Sequence, residues 1–206
     1  VYATGVPWAV YTGLVELRDE ARSGLRITFD QGRIEIVSPK YRHEKPVLRL
    51  ALIISSLAAE FGLKLVSART TTLQQEQTER GLEPDDCFYI ANAQAILGLE
   101  DIDLAIHPPP DIAIEVDVSR SSVSKEAIYA SMRVPELWRH DQREVTIRVL
   151  NADLSYETST HSRSFPLAEA KDFVPLLDAT RLLDDLDAAD HFRAWARRLK
   201  SASSVP

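Results

Sequence analysis

Residues 111–118 read Asp-Ile-Ala-Ile-Glu-Val-Asp-Val, an unbroken alternation of apolar and mostly acidic side chains. In an extended strand successive side chains point to opposite faces. Ile112, Ile114, Val116 and Val118 then form one apolar face, and Asp111, Ala113, Glu115 and Asp117 form the other. The apolar face needs a packed layer against it. The other face gathers carboxylates, with Glu115 and Asp117 about 7 Å apart. Acids that close repel unless a cation, a proton or a basic side chain lies near them. A two-sided sheet with hydrated acids on its wet face fits the same pattern.

A second segment, 83–90, also reads as a strand, with Asp85, Cys87 and Tyr89 on one face and Pro84 at its start, where no backbone donor is needed. Lys125 lies in a predicted helix over 122–132 that follows the acidic strand. It is either a solvated helix lysine or a side chain folded back over the acids. The remaining pattern predicts a helix over 8–22 and a hairpin over 25–37 around Asp30-Gln31-Gly32. It also predicts a buried helix over 47–61 that stops at Gly62, and a short strand over 63–67. Strands over 136–140, 144–150 and 154–158 precede a terminal amphipathic helix over 187–200. Helices and strands mixed in this order imply an α/β sheet with helices packed on it.

A chain of 206 residues is long enough for one domain with a real core, or for two very small ones. No apolar run approaches the ~18 residues of a membrane span. The single cysteine, Cys87, rules out an intramolecular disulfide and a cysteine-based zinc site, and fits a reducing cytoplasm. The net charge of −7 argues against a simple DNA-coating protein. It does not argue against an enzyme whose acids hold a cation.

Several stretches, taken in order, resemble the Uma-two family of restriction-endonuclease-like proteins, within the PD-(D/E)xK nucleases. They are Gly32-Arg-Ile-Glu-Ile-Val-Ser-Pro39, His43-Glu44, and Gly81-Leu-Glu-Pro-Asp-Asp-Cys-Phe-Tyr-Ile90. Pro109-Pro-Asp-Ile-Ala-Ile-Glu-Val-Asp117, Lys125-Glu-Ala-Ile-Tyr129 and Val134-Pro-Glu-Leu-Trp138 complete the set. The resemblance implies a restriction-endonuclease-like core: a mixed central sheet flanked by helices. It implies one domain over 1–206, with the helices 8–22 and 187–200 as additions. It makes Asp85 and Glu115 the site acids, Lys125 a lysine displaced onto the following helix, and Glu44 a supporting acid. Two positions depart from the pattern: Asp117 stands where a strand lysine is expected, and Thr28 where relatives often carry an acid.

On this reading Asp85, Glu115 and the Val116 carbonyl hold Mg²⁺ or Mn²⁺, and Lys125 orients a water for phosphodiester hydrolysis of DNA. Asp117 and Glu44 support that site. Lys40, Arg42, Lys45 and Arg49 contact flanking phosphates, and a homodimer serves two strands. Asp111 is structural, and Tyr129 and Trp138 pack the helix on the sheet. The competing expectation is an inactive nuclease fold used for nucleic-acid or protein binding. Serine chemistry through Ser122-Val-Ser-Lys125 lacks its companion motifs. Zinc hydrolysis fails because His43-Glu44 has no second histidine at position 47.

Overall fold

A computed structural model describes residues 1–38, 41–117, 123–141 and 143–202, with backbone alone at 41 and 42. The chain begins with β1 (Tyr2–Ala3), α1 (Trp8–Glu20) and the hairpin β2 (Arg26–Asp30) and β3 (Arg33–Val37). Gln31 and Gly32 both take positive φ at the hairpin turn, the conformation that two-residue hairpin loops require. The helix α2 (Tyr41–Phe61) follows, then β4 (Val66–Ser67), β5 (Leu73–Gln75), β6 (Arg80–Leu82) and β7 (Asp86–Tyr89). After α3 (Ala93–Ile96) come β8 (Ile112–Val116), α4 (Lys125–Ser131), β9 (Glu136–His140) and β10 (Val145–Leu150). The strand β11 (Tyr156–Ser159) and helices α5 (Ala170–Ala179) and α6 (Asp185–Ala202) complete the fold.

The strands form two sheets. One is antiparallel, ordered β1-β3-β2-β6-β5. The other is mixed, ordered β11-β10-β9-β8-β7-β4, with β8 and β9 parallel and every other pairing antiparallel. The expected mixed sheet flanked by helices is therefore present. The small antiparallel sheet beside it was only partly legible, because β1, β5 and β6 are too short to show a period.

The two faces of the mixed sheet do different work. Ile112, Ile114, Val116, Phe88, Trp138 and Ile147 pack against α2, α5 and α6 in the largest core cluster. Trp138 stacks on Phe173 of α5 with ring centroids 4.4 Å apart. On the other face Cys87, Ala113 and Leu137 meet Ile128 and Tyr129 of α4 and Leu73 and Leu82 of the antiparallel sheet. The helix α1 covers that second sheet through Tyr11, Val15, Ile27, Phe29 and Ile34. No helix among the described residues is long and apolar enough to cross a membrane.

The helix α2 starts before the predicted position 47 and runs through Pro46. Proline lacks the donor that would bond four residues back, so at the sixth residue of α2 the helix gives up one bond, the one to the carbonyl of residue 42. The early start matters, because it puts His43 and Glu44 on a fixed helical turn.

Candidate functional site

Every residue of β8 is buried, and Glu115 is only 2% exposed. That excludes the hydrated-acid alternative. The helix α4 is the crossover between the parallel strands β8 and β9, so it lies over the face that carries Ala113 and Glu115. Lys125, its first residue, donates from Nζ to Glu115 Oε2, and the Tyr129 hydroxyl, one turn on, donates to Oε1. Both carboxylate oxygens are thereby engaged from one helix edge. Burial first, and then the Glu115 charge, push the Tyr129 hydroxyl well above its ordinary pKa, so this group stays a donor. Tyr129 was expected as core packing; it packs, but it also holds the site acid.

Asp85 lies at the same end of the strand pair. Its N–H donates to the Ile114 carbonyl at 3.2 Å, and the Val116 N–H donates to Asp85 Oδ2 at 2.6 Å. Arg26, at the start of β2, pairs from Nη1 with Asp85 Oδ1. His43 Nε2 lies 3.0 Å from Asp85 Oδ2. The same two basic groups converge on Glu44: Arg26 Nη2 at 3.2 Å and His43 Nδ1 at 3.1 Å from Oε1. Asp85, Arg26, Glu44 and His43 close a ring that joins both sheets to α2. Sequence reasoning named Asp85 and Glu44 but missed Arg26, whose partners lie 18 and 59 positions away. His43 carried a signal only as the neighbour of Glu44.

The other predicted residues take different places. The strand ends at Val116, and Asp117 beyond it pairs with Arg139 at 2.7 Å. Arg139 continues to Glu126 at 2.9 Å, and Arg148 reaches Glu126 at 3.2 Å. Asp111 accepts from the Ile90 and Asn92 N–H groups at 2.6 and 3.1 Å, which fastens the turn after β7. Arg49 is buried, and its guanidinium donates to the Leu183 and Asp184 carbonyls at 2.8 and 3.2 Å. It braces the entry to α6 rather than offering a free cation to a phosphate. Lys45 Nζ donates to the Arg181 carbonyl at 3.1 Å. Lys40 and the side chain of Arg42 lie outside the described residues. So do Val118 and Ser122.

Two clefts adjoin the ring. One, of about 410 Å³, is lined by Glu44, Lys45, Arg49, Arg69, Thr70 and Asp85. The other, of about 480 Å³, is lined by Arg18, Arg26, Glu44, Thr70 and Glu83 among others. Glu44 and Thr70 belong to both, so the clefts meet at the ring. Arg69 stands exposed at the first cleft, in a left-handed backbone conformation with φ 54° and 3.4 Å from Asp86. Nothing in its sequence context pointed to it.

A family model described as "Uma2: Putative restriction endonuclease" matches residues 14–180. The chain belongs to this family. It is the Uma-two family that the ordered motifs resembled, and the match takes in every strand of both sheets except β1, and every residue of the ring. A comparison with curated proteins finds no match. Restriction-endonuclease-like families generally use divalent metal ions. The candidate site fits such an ion in donor type: Asp85 and Glu115 carry hard oxygen donors at one strand end. Among the described residues no three His, Cys, Asp or Glu side chains gather as a complete metal cage. Two carboxylates with the remaining positions left to water and substrate oxygens is the mode Mg²⁺ favours.

Proposed function

We propose that this protein is a divalent-metal-dependent endonuclease acting on DNA through Asp85, Glu115 and Lys125. The observation that carries the reading is Glu115: a carboxylate 2% exposed, beside Asp85 and under the Lys125 ammonium. Burying two acids is costly, and a fold that needed only packing would be better served by apolar side chains there. Asp85 and Glu115 hold the ion, Mg²⁺ or Mn²⁺, with the Val116 carbonyl as a further ligand. The bound ion supplies a water of lowered pKa and withdraws charge from a phosphate oxygen. Lys125 orients the attacking water against the scissile phosphate. Tyr129 keeps the Glu115 carboxylate in place from the other side. Glu44 and Asp117 support the site, Asp117 through Arg139. Lys45 and Arg69 line the approach and contact flanking phosphates, and a homodimer brings two sites to a duplex.

Calorimetric titration of Mg²⁺ and Mn²⁺ into the wild type and into Asp85→Ala/Glu115→Ala tests this. The expected result is binding that the double variant loses, with metal-dependent nicking of supercoiled plasmid that disappears on chelation. Absence of metal binding to the wild type, with and without duplex DNA, would sink the reading. A second reading would then take over: a nuclease fold retired to binding. One feature favours it, since the oxygens of both carboxylates already meet protein donors.

A further inference from the structure

Asp85 does not wait as a bare carboxylate. Arg26 takes its Oδ1, while His43 and the Val116 N–H take Oδ2. The second arm of Arg26 is on Glu44, which is about half exposed and lines both clefts. Arg26 itself lines one of them. Its guanidinium therefore occupies an oxygen that a cation on Asp85 would use, at the edge of the space where a strand would lie.

A cation and a guanidinium cannot share one carboxylate without repulsion, so loading the site favours release of Arg26 from Asp85. A released guanidinium needs another anion. Its planar fork matches phosphate as well as it matches carboxylate, and the open space beside it is the cleft. Glu44 keeps one arm of Arg26 tethered during the exchange, so the swing is short and the side chain does not have to be ordered afresh.

We propose that Arg26 is an exchangeable counter-charge. It neutralises Asp85 in the resting protein and passes to a phosphodiester oxygen of the nucleic-acid strand when a divalent cation takes its place. No covalent bond changes; one ion pair is traded for another. The inference rests on the nuclease reading of the site and adds a substrate contact to it. The alternative role, a fixed strut between β2 and the site strand, makes a different prediction about metal.

The test uses the full chain as wild type, Arg26→Gln and Arg26→Lys. Mn²⁺ binding is measured by calorimetry without DNA. Binding of a labelled duplex is measured by fluorescence anisotropy in Ca²⁺, with a circular-dichroism melt as the folding control. Arg26→Gln is expected to bind Mn²⁺ about tenfold more tightly and DNA about tenfold more weakly, two shifts of opposite sign. A variant that folds and loses Mn²⁺ and DNA binding together would make Arg26 a strut and overturn the proposal. So would one that changes neither. If Arg26→Gln does not fold, Arg26→Lys carries the test, because it keeps the charge and loses the fork. It is expected to hold Mn²⁺ as the wild type does and to bind DNA more weakly; unchanged DNA binding would overturn the proposal. Wild type that binds no Mn²⁺ would overturn the nuclease reading and this exchange together. Wild-type binding that falls in Arg26→Gln overturns the exchange alone.

Discussion

Buried acids persist in this protein where each oxygen has its own donor. Glu115 has Lys125 and Tyr129; Glu136, fully buried on β9, accepts from Trp138 Nε1 at 2.6 Å and from the Ser164 N–H at 2.9 Å. The buried Tyr129 hydroxyl bonds a charged acceptor, and such bonds contribute about 1.5–3 kcal/mol. Tyr129→Phe keeps the ring and removes only the donor. It should lower unfolding free energy by about that amount in urea and slow plasmid nicking, while the affinity for duplex DNA stays unchanged. A loss below about 0.5 kcal/mol would mean that the hydroxyl adds nothing to holding Glu115. At this scale Asp85, Glu115 and Lys125 were legible as candidates through residue type and order, and the fold brings them together at one end of β8. The sequence hid Arg26 and Tyr129, because an arginine in a strand and a tyrosine on an apolar helix face look alike whether or not an acid waits opposite.

The elements most legible in sequence are those whose period is long enough to repeat. The strand β9 runs over the predicted 136–140 without change, and β8 covers 112–116 of the predicted 111–118, of which Val118 lies outside the described residues. The helix α5 was not foreseen, since Pro175 sits inside its ten residues and proline reads as a break. The strands β5 and β6 have three residues each, and their pairing is decided by neighbours far along the chain. The packing of α6 on α2 is another such long-range decision. Arg197 pairs with Glu60 at 2.9 Å, and Lys200 Nζ donates to the Glu60 carbonyl at 2.6 Å. The hydrogen bond from Arg197 is the main cause that holds the Glu60 carboxyl below its ordinary pKa. A carboxylate with a lowered folded pKa contributes stability that is present above its unfolded pKa and lost as pH falls through the folded one. Glu60→Gln should therefore melt slightly below the wild type at pH 7, and the gap should close as pH drops below about 4. The pair is at the surface, so the gap should also shrink in high salt. A gap that persists unchanged in acid would assign the loss to packing instead of charge.

Over the whole molecule, the site stands where the two sheets meet, and one buried pair fastens that junction. Glu83 precedes Asp85 by two residues and is nearly inaccessible. It accepts from the Ile27 N–H at 2.6 Å, from Thr72 Oγ1 at 3.2 Å and from Arg18 of α1. Ile27 follows Arg26 in β2, so the bond that holds Ile27 also sets where Arg26 meets Asp85. The helix α1, expected as an addition to the core, thus supplies the cation for an acid that links the antiparallel sheet to the site strand. Removing one member of a buried pair leaves the other charged and unpaired, at a cost of about 3–5 kcal/mol, while replacing both with uncharged groups of similar volume costs far less. Arg18→Met should lower unfolding free energy by that amount in urea. Arg18→Met/Glu83→Gln should recover most of it, because the glutamine amide oxygen still accepts from Ile27. The pair is then seen as a non-additive coupling of the two changes. If Arg18→Met costs less than about 1 kcal/mol and the changes simply add, α1 is an appendage. A large loss rescued by the second change would make α1 part of what holds the ring of Arg26, His43, Glu44 and Asp85 together.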